Sequence, residues 1–85
     1  GPEYPPWDGP VRVYFYNPSG EYEEVGIVST QGSTKEPLSY LITDLQRRAA
    51  SMGANGIFVQ SPTTTGTASN GTGVIKLTAT AIRIE

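Results

Sequence analysis

Residues Leu41–Val59, LITDLQRRAASMGANGIFV, constrain the fold of this chain more than any other stretch. An amphipathic helix with an Ala49-Ala50 turn meets Gly53, and Ala54-Asn55-Gly56 then leads into a short apolar strand. Leu38, Leu41, Ile42, Leu45, Ala49 and Met52 recur at helical spacing and form one apolar stripe. Burying each large member contributes roughly 1.5–3 kcal/mol. Gly53 supplies the left-handed residue that ends a helix. Asp44 and Arg48 have i,i+4 spacing on the wet face, and Arg47 and Arg48 suit the negative helix C-terminus. Ser33 and Glu36 have capping-box spacing, but that register would put Pro37 at the fourth helical position, where its missing N–H leaves the cap carbonyl without its bond. Pro37 at the first helical position fits better, since Glu36, preceding a proline, is also biased away from helical angles. This corner specifies a fold and no chemistry.

The flanking segments read as strands. Val11–Tyr16 alternates, with Val11, Val13 and Phe15 on one face and Arg12, Tyr14 and Tyr16 on the other. Asn17-Pro18-Ser19-Gly20 is a turn, and Glu21–Thr30 the second strand. Gly26 within that strand implies a bulge or a close neighbour. Gln31–Lys35 is a polar loop before the helix, Gly56–Gln60 a third strand, and Ser61–Gly73 a loop of Thr, Ser, Gly and Asn. Val74–Glu85 is the last strand. Ile75, Leu77, Ala79 and Ala81 share one face of it, whereas Ile82 and Ile84 fall on the other. A bulge near Ala81, or burial of both faces at the strand's end, reconciles the two sets. The expectation is an α+β domain over residues 11–85 in the order β-β-α-β-β. It has a small antiparallel or mixed four-stranded sheet with one helix packed on one face.

Residues 1–10, GPEYPPWDGP, hold four of the seven prolines and no periodic pattern. They read as an extended leader or tether, with Tyr4 and Trp7 as the aromatic exceptions. Whether Trp7 packs onto the domain is open at this level. Gly1-Pro2 has the form of a protease scar.

Eighty-five residues make one small domain, burying roughly 60–65% of the surface its unfolded chain exposes. Six Lys and Arg against eight Asp and Glu give a formal charge of −2, which argues against a nucleic-acid partner. No apolar run approaches the ~20 residues of a membrane-spanning helix. With neither His nor Cys, disulfides, zinc-thiolate sites and soft-metal ligation are excluded, and no cofactor is expected.

The remaining constellations have ordinary readings. Gly66–Gly73 has phosphate-loop glycine spacing, but Thr72 stands where the motif needs Lys and a strand follows where it needs a helix. Asn70-Gly71-Thr72 is a glycosylation sequon, meaningful only in a eukaryotic secretory context. Glu21, Glu23 and Glu24 could make a weak hard-cation site, but read better as a solvated edge that discourages strand pairing. Ser39 and Ser51 have no base at helical spacing, so no catalytic residue is assigned and the chain is read as a non-enzyme. Arg12, Tyr14 and Tyr16, joined by Trp7, form the candidate interaction surface, a rimmed aromatic patch suited to protein contacts.

Leu45–Val59, with Met52-Gly53-Ala54-Asn55-Gly56 at its centre, resembles the "GAN-(A/G)-hydrophobic strand" corner of small bacterial domains related to YbjQ and the envelope stress lipoprotein RcsF. Glu24-Val25-Gly26-Ile27-Val28 matches their strand before the helix, and Leu77-Thr78-Ala79-Thr80-Ala81 their closing strand. The likeness spans residues 22–84. It implies a bacterial, exported or lipid-anchored domain in the periplasm or at the outer membrane, touching the membrane only through an anchor trimmed from ahead of residue 1. The implied role is a structural or stress-related module acting through a protein partner. The alternative is a self-associating small-ligand binder with its pocket at an oligomer interface. Thiol sensing and heavy-metal binding, known within that group, lack their ligands here.

Overall fold

The computed structural model describes residues 4–67 and 73–84. Its elements are β1 (Arg12–Tyr14), β2 (Tyr22–Ser33), α1 (Leu38–Ser51), β3 (Gly56–Val59), β4 (Thr63–Thr67) and β5 (Gly73–Ile84). The fold is α+β, a mixed sheet with one helix across one face. Strand order is β1-β3-β5-β2, with β4 also paired to β5. β5 runs antiparallel to β2, β3 and β4, while β1 lies parallel to β3. β2 and β3 are therefore parallel strands joined through α1, with β5 inserted between them.

The fifth strand is a correction to the sequence reading, which took Ser61–Gly73 as a loop. Thr63-Thr64-Thr65 pair with Lys76, Ile75 and Val74. Threonine is β-branched and suits a pleated strand, and a strand at an exposed edge needs no apolar alternation. β3 and β4 follow one edge of β5 in succession. The Gln60 N–H still donates to the Thr78 carbonyl at 2.9 Å, and Pro62 lies in the break between them. The tip of that hairpin, with the Asn70-Gly71-Thr72 sequon and most of the glycine-rich stretch, lies outside the described residues.

The core is built from one face of the sheet and one stripe of the helix. Leu41, Leu45 and Ala49 pack with Val28, Ala54, Ile57, Val59, Leu77, Ala79 and Ala81, all buried. Ile42 and Met52 border this cluster, whereas Leu38 is 39% exposed at the helix start. Pro37 is the N-cap, in extended conformation, so the helix starts one residue later than its assignment to the first helical position implied. The chain leaves the helix at Gly53, φ +89°, as its C-terminal stop.

β5 resolves its two apolar sets in the second of the anticipated ways, by burial on both faces, and the bulge is in its neighbour rather than in β5 itself. The register slips between Glu24 and Gly26, opposite Ile82 and Ala81, so the bulge lies in β2 at Val25. Ala81 and Ile82 are both fully buried, on opposite faces. Gly56, paired with Ile82, lacks the side chain that would crowd Ile82 and Ile84, 3.0–3.2 Å from a notional Cβ. Gly26 likewise leaves room for Met52, whose Cε would collide with a Cβ there.

Phe15 does not keep the face it was expected to share with Val11 and Val13. β1 ends at Tyr14 and the chain bends at Phe15 and Tyr16, leaving Phe15 63% exposed. It lines a shallow groove with Leu38, Val59, Pro62 and Leu77.

Asp44 and Arg48 form the expected ion pair, 2.8 Å apart. The hydrogen bond from Arg48, then one from Thr30, holds the Asp44 carboxyl below its ordinary value of 3.8. A depressed folded pKa stabilises the fold above the unfolded value and ceases to do so as pH falls through the folded one. Asp44→Asn should therefore flatten the acid side of the stability curve below about pH 5. The loss at neutral pH should be under about 1 kcal/mol, because both side chains reach solvent. Denaturant titrations across that range check the sign. Leu45 is the deeper test. Leu45→Ala should cost about 2–5 kcal/mol, and Leu45→Asp should abolish the cooperative transition, since a charge there has no partner. Circular dichroism of a folded Leu45→Asp chain would refute this account of the core.

Candidate interaction surface

The helix covers one face of the sheet, and the register fixes what the other face carries. Residues directly opposite one another share a face. One row across the sheet is Tyr14, Phe58, Thr80 and Ile27; the next is Arg12, Gly56, Ile82 and Glu24. Tyr22 and Ile84 follow in a third. Among the described residues no helix lies over this face. Ile27 is 71% exposed, and Tyr14, Phe58 and Tyr22 are half-buried. An aromatic and aliphatic band thus runs from β1 to β2, flanked by Arg12 and Glu24 at opposite edges.

Residues 4–10 pack at one end of this sheet. The Trp7 N–H donates to the Ala50 carbonyl at 2.8 Å, and its indole Nε1 to the Pro10 carbonyl at 2.9 Å. Tyr4 and Pro5 lie against Gly53 closely enough to leave no room for a side chain there. The Arg83 guanidinium lies 5.1 Å from the centre of the Tyr4 ring and 4.7 Å from that of Trp7, and donates to the Gly53 carbonyl at 2.9 Å. Each cation–aromatic contact contributes on the order of 0.5–1 kcal/mol at a site open to water. Asn55 completes the corner. Its Nδ2 donates to the Ile84 carbonyl and its Oδ1 accepts from the Ile84 N–H, both at 2.7 Å. A side chain thereby supplies the hydrogen bonds of one further strand residue.

Of the four surface residues proposed from sequence, the fold brings three near one another. Trp7 and Arg12 line one cleft with Pro10, Asn55 and Ile84. Tyr14 stands one row further along, opposite Phe58. Tyr16 departs from the group: it follows the end of β1 and is 72% exposed in the bend. The strand is shorter than its alternation implied: its pairing with β3 ends at Tyr14 and Phe58, and the chain bends at Phe15 and Tyr16. Phe58 and Ile27 belong to the surface and were missed. Both were read as apolar strand residues without a face; the alternation of β3 separates Phe58 from Ile57 only when its neighbour is known. Tyr4 and Arg83 were also missed, since their meeting joins the two ends of the chain.

Glu21 and Glu23 line a second cleft, of about 330 Å³, with Tyr4, Gly20, Tyr22 and Arg83. Among the described residues no three carboxylates converge on a metal-sized site, and Glu24 lies on the open face. Asp44 is the one described group with a resolved pKa shift, and its ion pair accounts for it. No described helix is long and apolar enough to cross a membrane. Comparison with protein-family models, curated proteins and solved structures finds no significant match in any of the three.

The corner can be probed through Trp7, the chain's single tryptophan. Gly53→Ala should be unfavourable twice over, through its positive φ and through collision with Tyr4 and Pro5. The expected result is a loss of about 1–3 kcal/mol together with a red-shifted Trp7 emission as the segment lifts away. Unchanged emission would mean that Gly53 does not hold residues 4–10 in place.

Proposed function

We propose that this chain is a non-enzymatic interaction domain of the bacterial envelope that binds a protein partner through the open face of its sheet. The observation that carries the reading is the band Tyr14–Phe58–Thr80–Ile27, an apolar row left without a helix. Interfaces favour aromatic residues at the centre of a patch with charged residues at its rim, and Arg12 and Glu24 supply such a rim. The absence of a catalytic role is supported by chemistry: among the described residues no polar or charged residue is buried, and the lowered pKa of Asp44 is accounted for by its pairing with Arg48. The envelope location rests on the resemblance of residues 22–84 to the YbjQ- and RcsF-related domains.

The test is site-specific photocrosslinking in living bacteria, with the reactive residue at Tyr14 or, as a control, at Thr43 on the exposed side of the helix. One discrete adduct with another envelope protein at Tyr14, and none at Thr43, is expected. Equal adducts from both positions, or none from Tyr14, would overturn the assignment of the open face.

A further inference from the structure

β2 ends the strand order, and among the described residues nothing pairs with its outer edge. Which groups that edge presents follows from the ladder. The Asn55 N–H donates to the Ile82 carbonyl and the Gln60 N–H to that of Thr78, so these β5 residues turn their backbone toward β3. Alternation turns Leu77, Ala79 and Ala81 toward β2, where they pair with Thr30, Val28 and Gly26. The backbone N–H and C=O groups of Ile27, Ser29 and Gln31 therefore point outward.

Natural sheets guard such an edge with charge, proline, a bulge or brevity. β1, at the opposite edge, is three residues long. On β2 the guard is partial: Glu21, Glu23 and Glu24 precede the bulge at Val25, and Val25–Ser33 has neither charge nor proline. The midpoint of that uncharged run is Ser29. A two-fold axis through Ser29 lays the whole run antiparallel on a second copy of itself, Ile27 opposite Gln31 and Val25 opposite Ser33. The outward groups of Ile27, Ser29 and Gln31 then face the same groups of the second copy. Beyond the run, the Glu23–Glu24 end of each strand meets the Thr34–Lys35 end of the other. Lys35, Glu23 and Glu24 make no ion pair among the described residues, and the Glu36 carboxylate turns back to the Ser33 N–H.

We propose that β2 is a self-recognition edge, pairing antiparallel with β2 of a second copy about Ser29 to join two sheets into one. This rests on the reading of the chain as an interaction domain and adds a second partner, the chain itself, at a different surface.

The experiment uses the full chain in light scattering from low micromolar to near-millimolar concentration, with amide hydrogen exchange at both extremes. A mass rising to twice 9.1 kDa is expected, with protection gained at Ile27, Ser29 and Gln31. Ser29 is exposed and its side chain carries no hydrogen bond among the described contacts, so Ser29→Lys and Ser29→Glu should each fold normally. Like charges facing each other across the axis should weaken each variant's self-association at least about ten-fold. An equimolar mixture of the two should restore it. A monomer at every concentration overturns the proposal, as does a dimer indifferent to both variants or one that leaves those three amides unprotected. A monomer leaves the open-face reading standing, and a missing Tyr14 adduct leaves this dimer untouched, so the two failures are distinguishable.

Discussion

Every other strand except β1 is hydrogen-bonded to β5, and β1 is held through β3. β5 pairs with β2 along Val74–Ile84 on one edge and with β4 and then β3 on the other. Its alternation commits Leu77, Ala79 and Ala81 to the helix and Thr78, Thr80 and Ile82 to the open face. A strand fixed on both edges cannot slip by one residue without exchanging these two sets. The small residues matter as much as the large ones. Ala79 and Ala81 bring the helix close, and Gly56 and Gly26 make room where Ile82 and Met52 need it. In a core this thin, geometry at a few narrow places decides the packing.

Much of this architecture can be read from the residues because the physics that sets it is local. The stripe from Leu41 to Met52, the stop at Gly53 and the conflicting apolar sets of β5 each carry their meaning within one turn or one strand. What could not be read depends on contacts between distant segments. Where β1 stops is set by its pairing with β3, which ends at Tyr14 and Phe58. Whether the threonines of β4 pair is decided by β5, since their polarity removes the alternation that marks a half-buried strand. The interaction surface divides in the same way. Tyr14 and Arg12 advertise themselves by alternation, but Phe58 and Ile27 join them only through a register that spans most of the chain. The Arg83 cluster is further from local logic still, as it ties the next-to-last residue of β5 to a proline-rich segment some eighty residues earlier in sequence.

The two faces of the sheet divide the work of the molecule. One packs under the helix, and the other carries the half-buried aromatics Tyr14, Phe58 and Tyr22. The chain has neither His nor Cys, and among the described residues the one carboxylate with a lowered pKa, Asp44, is explained by its arginine. The bulge at Val25 sharpens the division, separating an acidic stretch of β2 that resists pairing from a neutral stretch that invites it.

The Asn55 clamp has a consequence for the lifetime of the protein. An asparagine followed by glycine is the pair most prone to spontaneous deamidation, because the unhindered glycine nitrogen readily attacks the side-chain carbonyl carbon. Here the carboxamide of Asn55 is fastened at both its nitrogen and its oxygen to Ile84, and is not free to swing onto the nitrogen of Gly56. Once lost, the amide would be replaced by a carboxylate facing the Ile84 carbonyl, acceptor against acceptor, and the corner could not close as before. Chemical ageing at this position is thus slowed while the clamp is closed, and advances when the Asn55–Ile84 corner opens.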